Sequence, residues 1–427
     1  MLLQFTVGNY LSFRDKTTLS MLAAPGGEAD GAVLSGPGGR FVLRVAAIYG
    51  ANASGKSNLI SALQFARNRV VGGPPAELAP FKLDAALGQA PSSFEFELEL
   101  AGAHYSFGFF LDAESVQAEW LARTTDEGEE VPLYGREGQE FRITPELAPD
   151  PERQRFLEFL AKGTSSNQLF LHEAGAREGH ELSFLVRWFR EGLDLVGHGL
   201  GTKGLATRIE QDPALATFLG NFLGEAGTGV SGVVVDPAAD RSLLGGGSPG
   251  GEGILGMLLT VLNADDRRLR LAHAAKDSAP VPFALSEESD GTRRLLKLAP
   301  LIHDLQDEAP ARLVVIDELD RSLHTLLSSF FVRAFSRAAQ GNHSQLIFTT
   351  HDTNLLNLEL LRPDSIWFVE KDRAGASHLY SLAEFDHAQL EALGPAVERG
   401  YLQGRFGAVP FLGDPERLGW TKALQGT

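Results

Sequence analysis

Cysteine is absent from the 427 residues. That excludes disulfides, thiolate metal sites and cysteine nucleophiles, and it fits a cytoplasmic protein. Long apolar runs are also missing. No stretch of roughly 18 apolar residues without charge occurs, so no membrane span is expected. The first residues, MLLQFTVGNYLSFRDK, have neither a basic n-region nor a cleavage site, and they alternate like a strand rather than a signal peptide. Positive charge is scarce: 38 Lys and Arg stand against 55 Asp and Glu, a net charge of −17. So acidic a chain is a poor partner for a phosphate backbone, and nucleic acid, while possible through local basic patches, is not indicated by charge. The 11 histidines are scattered and form no HExxH or HNH-type grouping. With 43% hydrophobic residues the chain is globular, and its length implies two or three subdomains.

Residues 2–7 and 17–22 read as strands around a turn at Asn9–Asp15. A Gly/Pro-rich loop spans 24–40. RFVLRVAAIYG (40–50) is a buried strand running into a glycine loop, and 56–69 reads as a helix. From 92 to 143 the text changes: SSFEFELEL alternates with period two, and the segments after it continue an antiparallel meander. Residues 150–225 read as helical, beginning PERQRFLEFLAKG with proline in the first turn. GGGSPGGEG is the only low-complexity segment. After 262 strands and helices alternate: ARLVVIDELD and SQLIFTTHD are buried strands, SLHTLLSSFFVRAFSRAA a helix. The expected division is 1–75, an N-terminal part with the glycine loop; 76–145, an antiparallel β-subdomain; 146–260, a helical lobe with a Gly-rich loop at 245–253; and 261–427, a C-terminal part.

Gly50–Ser57, GANASGKS, fits G-x-x-x-x-G-K-[ST]. Gly50 and Gly55 let the backbone N–H groups of Asn52, Ala53, Ser54 and their neighbours curl around phosphate oxygens. Lys56 brings a point charge to the β- and γ-phosphates, and Ser57 a hydroxyl to Mg²⁺. The helix starting here, with Asn58 in its first turn, adds its N-terminal dipole. LVVIDE supplies a second half-site: a buried strand delivers Asp317 to the metal, and Glu318 can polarise water for attack on the γ-phosphate. Lys56 and Asp317 lie 261 residues apart, so one nucleotide site is assembled from two ends of the chain.

This motif order resembles the ABC class of ATPases, and within it the stand-alone SMC, RecF and OLD group. ESDGTRRLL is similar to that group's signature helix. Ser289 and Gly291 open it as an anion site, which in ABC proteins caps the γ-phosphate of another subunit. DRSLH matches the D-loop, and FTTHD places His351 where the switch histidine contacts the γ-phosphate. Together with NYLSFRDKTTLSMLA, PFKLD and GRFGAVPF, these stretches look like the abortive-infection and RloA-type subset that includes the ATPase of the PARIS antiphage system. Family position puts the turn carrying Phe13 and Arg14 beside the nucleotide. One departure stands out: the Q-loop position is taken by PFKLD (80–84), which has no glutamine, and Gln89 lies nearby without an assignable role.

The resemblance implies an α/β fold, an ABC-type P-loop ATPase head with an inserted antiparallel β-subdomain and a helical lobe. It also implies ATP and Mg²⁺ as cofactors and a homo-oligomer, an ATP-sandwich dimer or larger. The function it implies is a nucleotide-driven switch or sensor in antiphage defence, controlling a separate effector such as a nuclease. No Toprim-type cluster fits the 76 residues after His351, so this chain is not expected to be the nuclease. A RecF-like ATPase that clamps DNA directly is the alternative.

Overall fold

The computed structural model describes residues 1–25, 31–36, 39–73, 77–125, 127–177, 182–197, 202, 204–236, 268–276, 278–306, 310–386, 390 and 397–410. The chain starts with β1 (Leu2–Gly8) and β2 (Thr17–Ser20), a ribbon of β3 (Val33–Ser35) with β4 (Phe41–Leu43), and the fully buried β5 (Val45–Tyr49). Helix α1 (Lys56–Val71) follows. The expected meander then forms: β6 (Ser92–Leu100), β7 (Ala103–Leu111), β8 (Val116–Thr124), β9 (Glu130–Glu137) and β10 (Glu140–Ile143). On β6, Phe94, Phe96 and Leu98 are buried while Glu95, Glu97 and Glu99 are not, which is the period-two pattern of a half-buried strand. This meander does not stand apart. β6 pairs antiparallel with β1, setting Phe5 against Phe96, so the sheet runs β10-β9-β8-β7-β6-β1-β2. The segment expected as a subdomain at 76–145 thus shares its sheet with the chain's first two strands.

Next come α2 (Pro151–Gly163), α3 (Phe170–Gly175) and α4 (Ser183–Arg187). Asp150 caps α2 by accepting from the Glu152 and Arg153 N–H groups, with Pro151 in the first turn where no N–H is needed. The buried Glu119 of β8 accepts from the N–H groups of Phe170 and Leu171 and from the Tyr134 hydroxyl, fastening the lobe to the sheet.

The all-helical expectation for 150–225 is corrected here. After a π-helical turn at Trp188–Gly192, β11 (Leu193–Val196) pairs in parallel with the central sheet. Its four residues are too few to show a period, and its partner lies more than a hundred residues on. α5 (Leu205–Gln211) and α6 (Pro213–Glu225) resume the helical text, and β12 (Val230–Val235) ends it. β12 joins β13 (Leu269–Ala275) and β14 (Ser278–Ala284) in a three-stranded sheet. The Gly-rich loop at 245–253 lies outside the described residues.

Then α7 (Asp290–His303), β15 (Leu313–Ile316), α8 (Thr325–Ala338), β16 (Gln345–Thr349), β17 (Ile366–Lys371), β18 (Ser377–Ser381) and α9 (Val397–Leu402) complete the chain. The central sheet has the order β11-β15-β16-β5-β17-β18 and is parallel apart from β18. Its strands alternate between two cores. Ala46 and Ile48 face the core shared with α1 and the antiparallel sheet, whereas Val45, Ala47 and Tyr49 face the core built with α6, α7 and α8. Burial on both faces explains why these strands read as unbroken apolar runs. Because the strands are parallel, β5, β15 and β16 end at one edge, and their exit loops meet there. Among the described residues, no helix is long and apolar enough to cross a membrane.

Candidate nucleotide site

β5 ends at Tyr49 and the glycine loop begins. Gly50 has φ 156, and a Cβ there would stand 2.3 Å from the Val369 carbonyl oxygen. Gly55 precedes α1 with φ 119, and a Cβ would lie 2.3 Å from Ser377 Oγ. Neither position admits a side chain without movement. No side chain caps α1 and its first turn has no acidic residue, so its leading N–H groups are left for an anion. Asn52 and Ala53 are exposed at the loop's outer edge. Ser54 is buried, with its hydroxyl unpartnered among the described residues.

Lys56 is only 5% exposed. Its ammonium donates to the loop's own carbonyls, Gly50 O at 2.7 Å and Ala51 O at 3.1 Å, and lies 3.5 Å from His351 Nδ1. Burial pushes its pKa down to about 8, against the opposing pull of Asp317, Asp320 and Glu318.

Ser57 and Asp317 meet across the separation of 260 residues between them: Ser57 Oγ donates to Asp317 Oδ1 at 3.2 Å. Thr349, at the end of β16, donates to the same oxygen at 2.6 Å and accepts from the Glu318 N–H at 2.8 Å. Glu318 has φ 50, a left-handed conformation unfavourable for a residue with a Cβ. The threonine bridge holds that turn in place. Ser57 and Asp317 supply two adjoining oxygens, which suits Mg²⁺, a cation that completes its octahedron with phosphate oxygens and water. Among the described residues no group of three or more His, Asp or Glu is arranged to hold a metal on its own.

The His351 N–H faces the Asp320 carboxylate at 3.3 Å from each oxygen. Burial, then the neighbouring Lys56, lowers the imidazole pKa, which keeps the ring neutral at pH 7.

The signature stretch lies at the start of α7. Ser289 is exposed and caps the helix, its Oγ accepting from the Thr292 N–H at 3.1 Å. Gly291 packs on the D-loop, where a Cβ would stand 3.0 Å from Ser322 O. One residue here is not anticipated from sequence. Arg294, buried on the same helix, reaches the Glu318 carbonyl oxygen at 3.4 Å. The signature helix therefore touches the Asp317–Glu318 turn of its own chain.

The Asn9–Asp15 turn sits against the glycine loop. Asn58 Nδ2 donates to Ser12 Oγ at 2.7 Å, and Ser377 Oγ, 2.7 Å from Ser12 Oγ, donates to Ser54 O at 2.5 Å. Asn58 thus braces the turn. Arg14 spends its hydrogen bonds on Asp15, at 3.0 and 2.8 Å. PFKLD packs on the same turn through the Phe81 N–H to Asn9 Oδ1, 3.1 Å, while Gln89 is exposed. Thr349, Ser12 and Ser377 join Arg294 as residues that sequence reading misses. Thr349 lies within FTTHD, two positions before the histidine, and its place at a strand end is its only signal.

An extra strand, β16, lies between the glycine-loop strand β5 and the carboxylate strand β15, and its exit carries His351. That order, with these motifs, defines an ABC-type P-loop ATPase head. The chain belongs to the family described as "AAA domain, putative AbiEii toxin, Type IV TA system", whose model matches residues 45–357. Among solved structures it is similar to the SMC head domain from Thermotoga maritima, with 18% identity over 89% of this chain and 98% of that one and a TM-score of 0.39. It is also similar to an SMC head bound to the C-terminal winged-helix domain of ScpA, with 14% identity over 92% and 99% and a TM-score of 0.42. Likenesses at that level add nothing to the strand order and motifs that define the class. No curated protein matches the chain.

Proposed function

We propose that this chain binds Mg·ATP and hydrolyses it, and that the resulting change of state is its output. One observation carries the reading. Lys56 and Ser57 from one end of the chain come within hydrogen-bonding reach of His351 and Asp317 from the other, and Thr349 holds Glu318 beside Asp317. Ser57 and Asp317 would hold Mg²⁺, which supplies charge neutralisation on the phosphates. Gly50–Ser57 cradles the phosphate chain, and Lys56 exchanges its two loop carbonyls for phosphate oxygens. Glu318 orients and deprotonates the attacking water, and neutral His351 donates to the γ-phosphate. Exposed Ser289 and half-buried Gly291, at a helix start, cap the γ-phosphate of a second copy, making the working unit a homo-oligomer.

We infer further that this cycle is a switch in bacterial antiphage defence acting on a separate effector, a nuclease. Motif order and the family's own description, which names a toxin–antitoxin system, favour this reading. The net charge of −17 favours it over a RecF-like DNA clamp.

Phosphate release from ATP, followed in wild type and Glu318→Gln, tests the first reading. Absence of turnover by wild type with Mg²⁺ rejects it. Filter binding of duplex DNA with and without ATP tests the second: ATP-dependent retention favours the clamp.

A further inference from the structure

At the edge of the central sheet opposite the glycine loop lies a pocket of about 350 Å³. Val45, the first residue of β5, and Ser365, just before β17, line it, whereas the nucleotide loop leaves the other end of β5. Two arginines dominate one wall. Arg333 and Arg337 lie one turn apart on α8, both exposed. Among the described residues neither guanidinium has a hydrogen-bonding or ion-pairing partner. Arg362 lines the facing wall, held by Asp364 at 3.0 and 2.8 Å.

A fourth arginine, Arg44, directly precedes the lining residue Val45. Arg44 is 3% exposed and donates to the carbonyls of Gly31, Ala339, Asn342 and Ser344 at 2.5–3.3 Å. Among the described residues no carboxylate pairs with it, and a guanidinium stays charged in a protein. Among the described residues its charge is therefore met by carbonyl dipoles alone. Among the described residues Glu359 is the one carboxylate lining the pocket. Among the described residues three arginines and one carboxylate thus line the pocket, with Arg44 next to its Val45 wall and Asp364 paired to Arg362, in a chain whose overall charge is −17.

Arginine forks one helical turn apart suit an anion with several oxygens, and phosphate takes such forks in pairs. The Gln340 amide adds a donor and Leu360 an apolar wall. The volume falls at the low end of small-ligand sites, enough for a phosphate with an organic body. We propose that this pocket binds a phosphorylated small molecule of mononucleotide size, its phosphate held between Arg333 and Arg337. The site is separate from the ATP site and does not depend on the reading given for it.

The test is calorimetric titration of AMP, ribose 5-phosphate and inorganic phosphate, without Mg²⁺, into full-length Lys56→Ala, in which the glycine loop is disabled. The expected result is one AMP or ribose 5-phosphate per chain, bound more tightly than inorganic phosphate. Adding Arg333→Gln and Arg337→Gln, both on an exposed helix face, weakens that binding at least tenfold with the melting temperature unchanged. If neither organic phosphate binds below about 5 mM, or if the two substitutions leave binding intact, the proposal is overturned. Inorganic phosphate binding as tightly as AMP reduces the site to a simple anion contact and also overturns it. So does a 16-base-pair duplex bound through the same arginines when AMP is not, since that is a nucleic-acid surface.

Discussion

Lys56 offers a pH signature that separates a phosphate cradle from a glycine-rich turn. In the free protein its pKa is about 8, because burial costs the ammonium more than the nearby carboxylates return. Nucleotide phosphates brought against it favour the charged form, so binding is coupled to proton uptake above pH 8. If the bound form stays protonated throughout, affinity falls in proportion to 1 + 10^(pH − 8). From pH 7.5 to 9.5 that is about a 25-fold loss, with most of it above pH 8.5. The γ-phosphate is already fully ionised across this range and adds no slope of its own.

Equilibrium titration with a fluorescent ATP analogue, in Glu318→Gln to prevent turnover, measures this directly. Lys56→Met binds weakly and shows no such slope. The stability of the free protein follows the opposite sign. The unfolded lysine keeps its proton to about 10.5, so the contribution of Lys56 to folding grows as pH rises from about 8 towards that value. The ATP-induced rise in melting temperature therefore shrinks over the same window. A dissociation constant that is flat from pH 7.5 to 9.5 would refute the argument that Lys56 is the buried, phosphate-facing charge.

Glu318→Gln slows turnover by roughly 10²–10⁴-fold while ATP binding persists, and the retained nucleotide holds two copies together in size-exclusion light scattering; equal loss of affinity and turnover would make Glu318 structural. Ser289→Arg leaves nucleotide binding intact and abolishes hydrolysis, since it blocks only the capping surface; normal hydrolysis sinks the composite site. Gly50→Ala destabilises by about 1–3 kcal/mol in urea unfolding, because its methyl group would meet the Val369 carbonyl, which cannot swing away as the nearby Ser54 side chain can. Arg294→Met, which keeps most of the buried volume, lowers kcat more than it raises KM for ATP if the arginine positions the Glu318 turn; an unchanged kcat assigns it to packing.

What sequence discloses here divides by range. The glycine loop, the LVVIDE strand and FTTHD are local patterns whose chemistry depends on neighbouring residues, and each is legible alone. The central sheet is legible for the same reason: β5, β15 and β16 are buried on both faces and read as apolar runs. β11 is illegible because four residues, Leu193–Val196, form a strand only through pairing with Leu313–Ile316 far along the chain. The continuity of β6 with β1 is hidden similarly, since each strand's alternation is visible but not its partner. Thr349 and Arg294 lie inside FTTHD and ESDGTRRLL, but their own roles are silent in sequence because they come from which backbone turn each reaches.

Those two residues suggest why the site needs its bridges. Glu318 holds a backbone conformation that a residue with a Cβ adopts only when its surroundings insist. Three contacts from two elements insist. Thr349 at the end of β16 takes the Glu318 N–H and binds Asp317, Arg294 of the signature helix takes the Glu318 carbonyl, and Leu319 N–H donates to the Thr349 carbonyl at 3.0 Å. The turn carrying Glu318, the proposed water-activating carboxylate, is thereby fixed by the strand that delivers His351 on one side and by the helix that carries Ser289 on the other. A γ-phosphate contacting His351, or a second copy pressing on Ser289, acts on an element already bonded to that turn. Coupling between nucleotide state and the capping surface then requires no long pathway. It runs through one residue, Glu318, whose two backbone groups are held by opposite ends of the machinery.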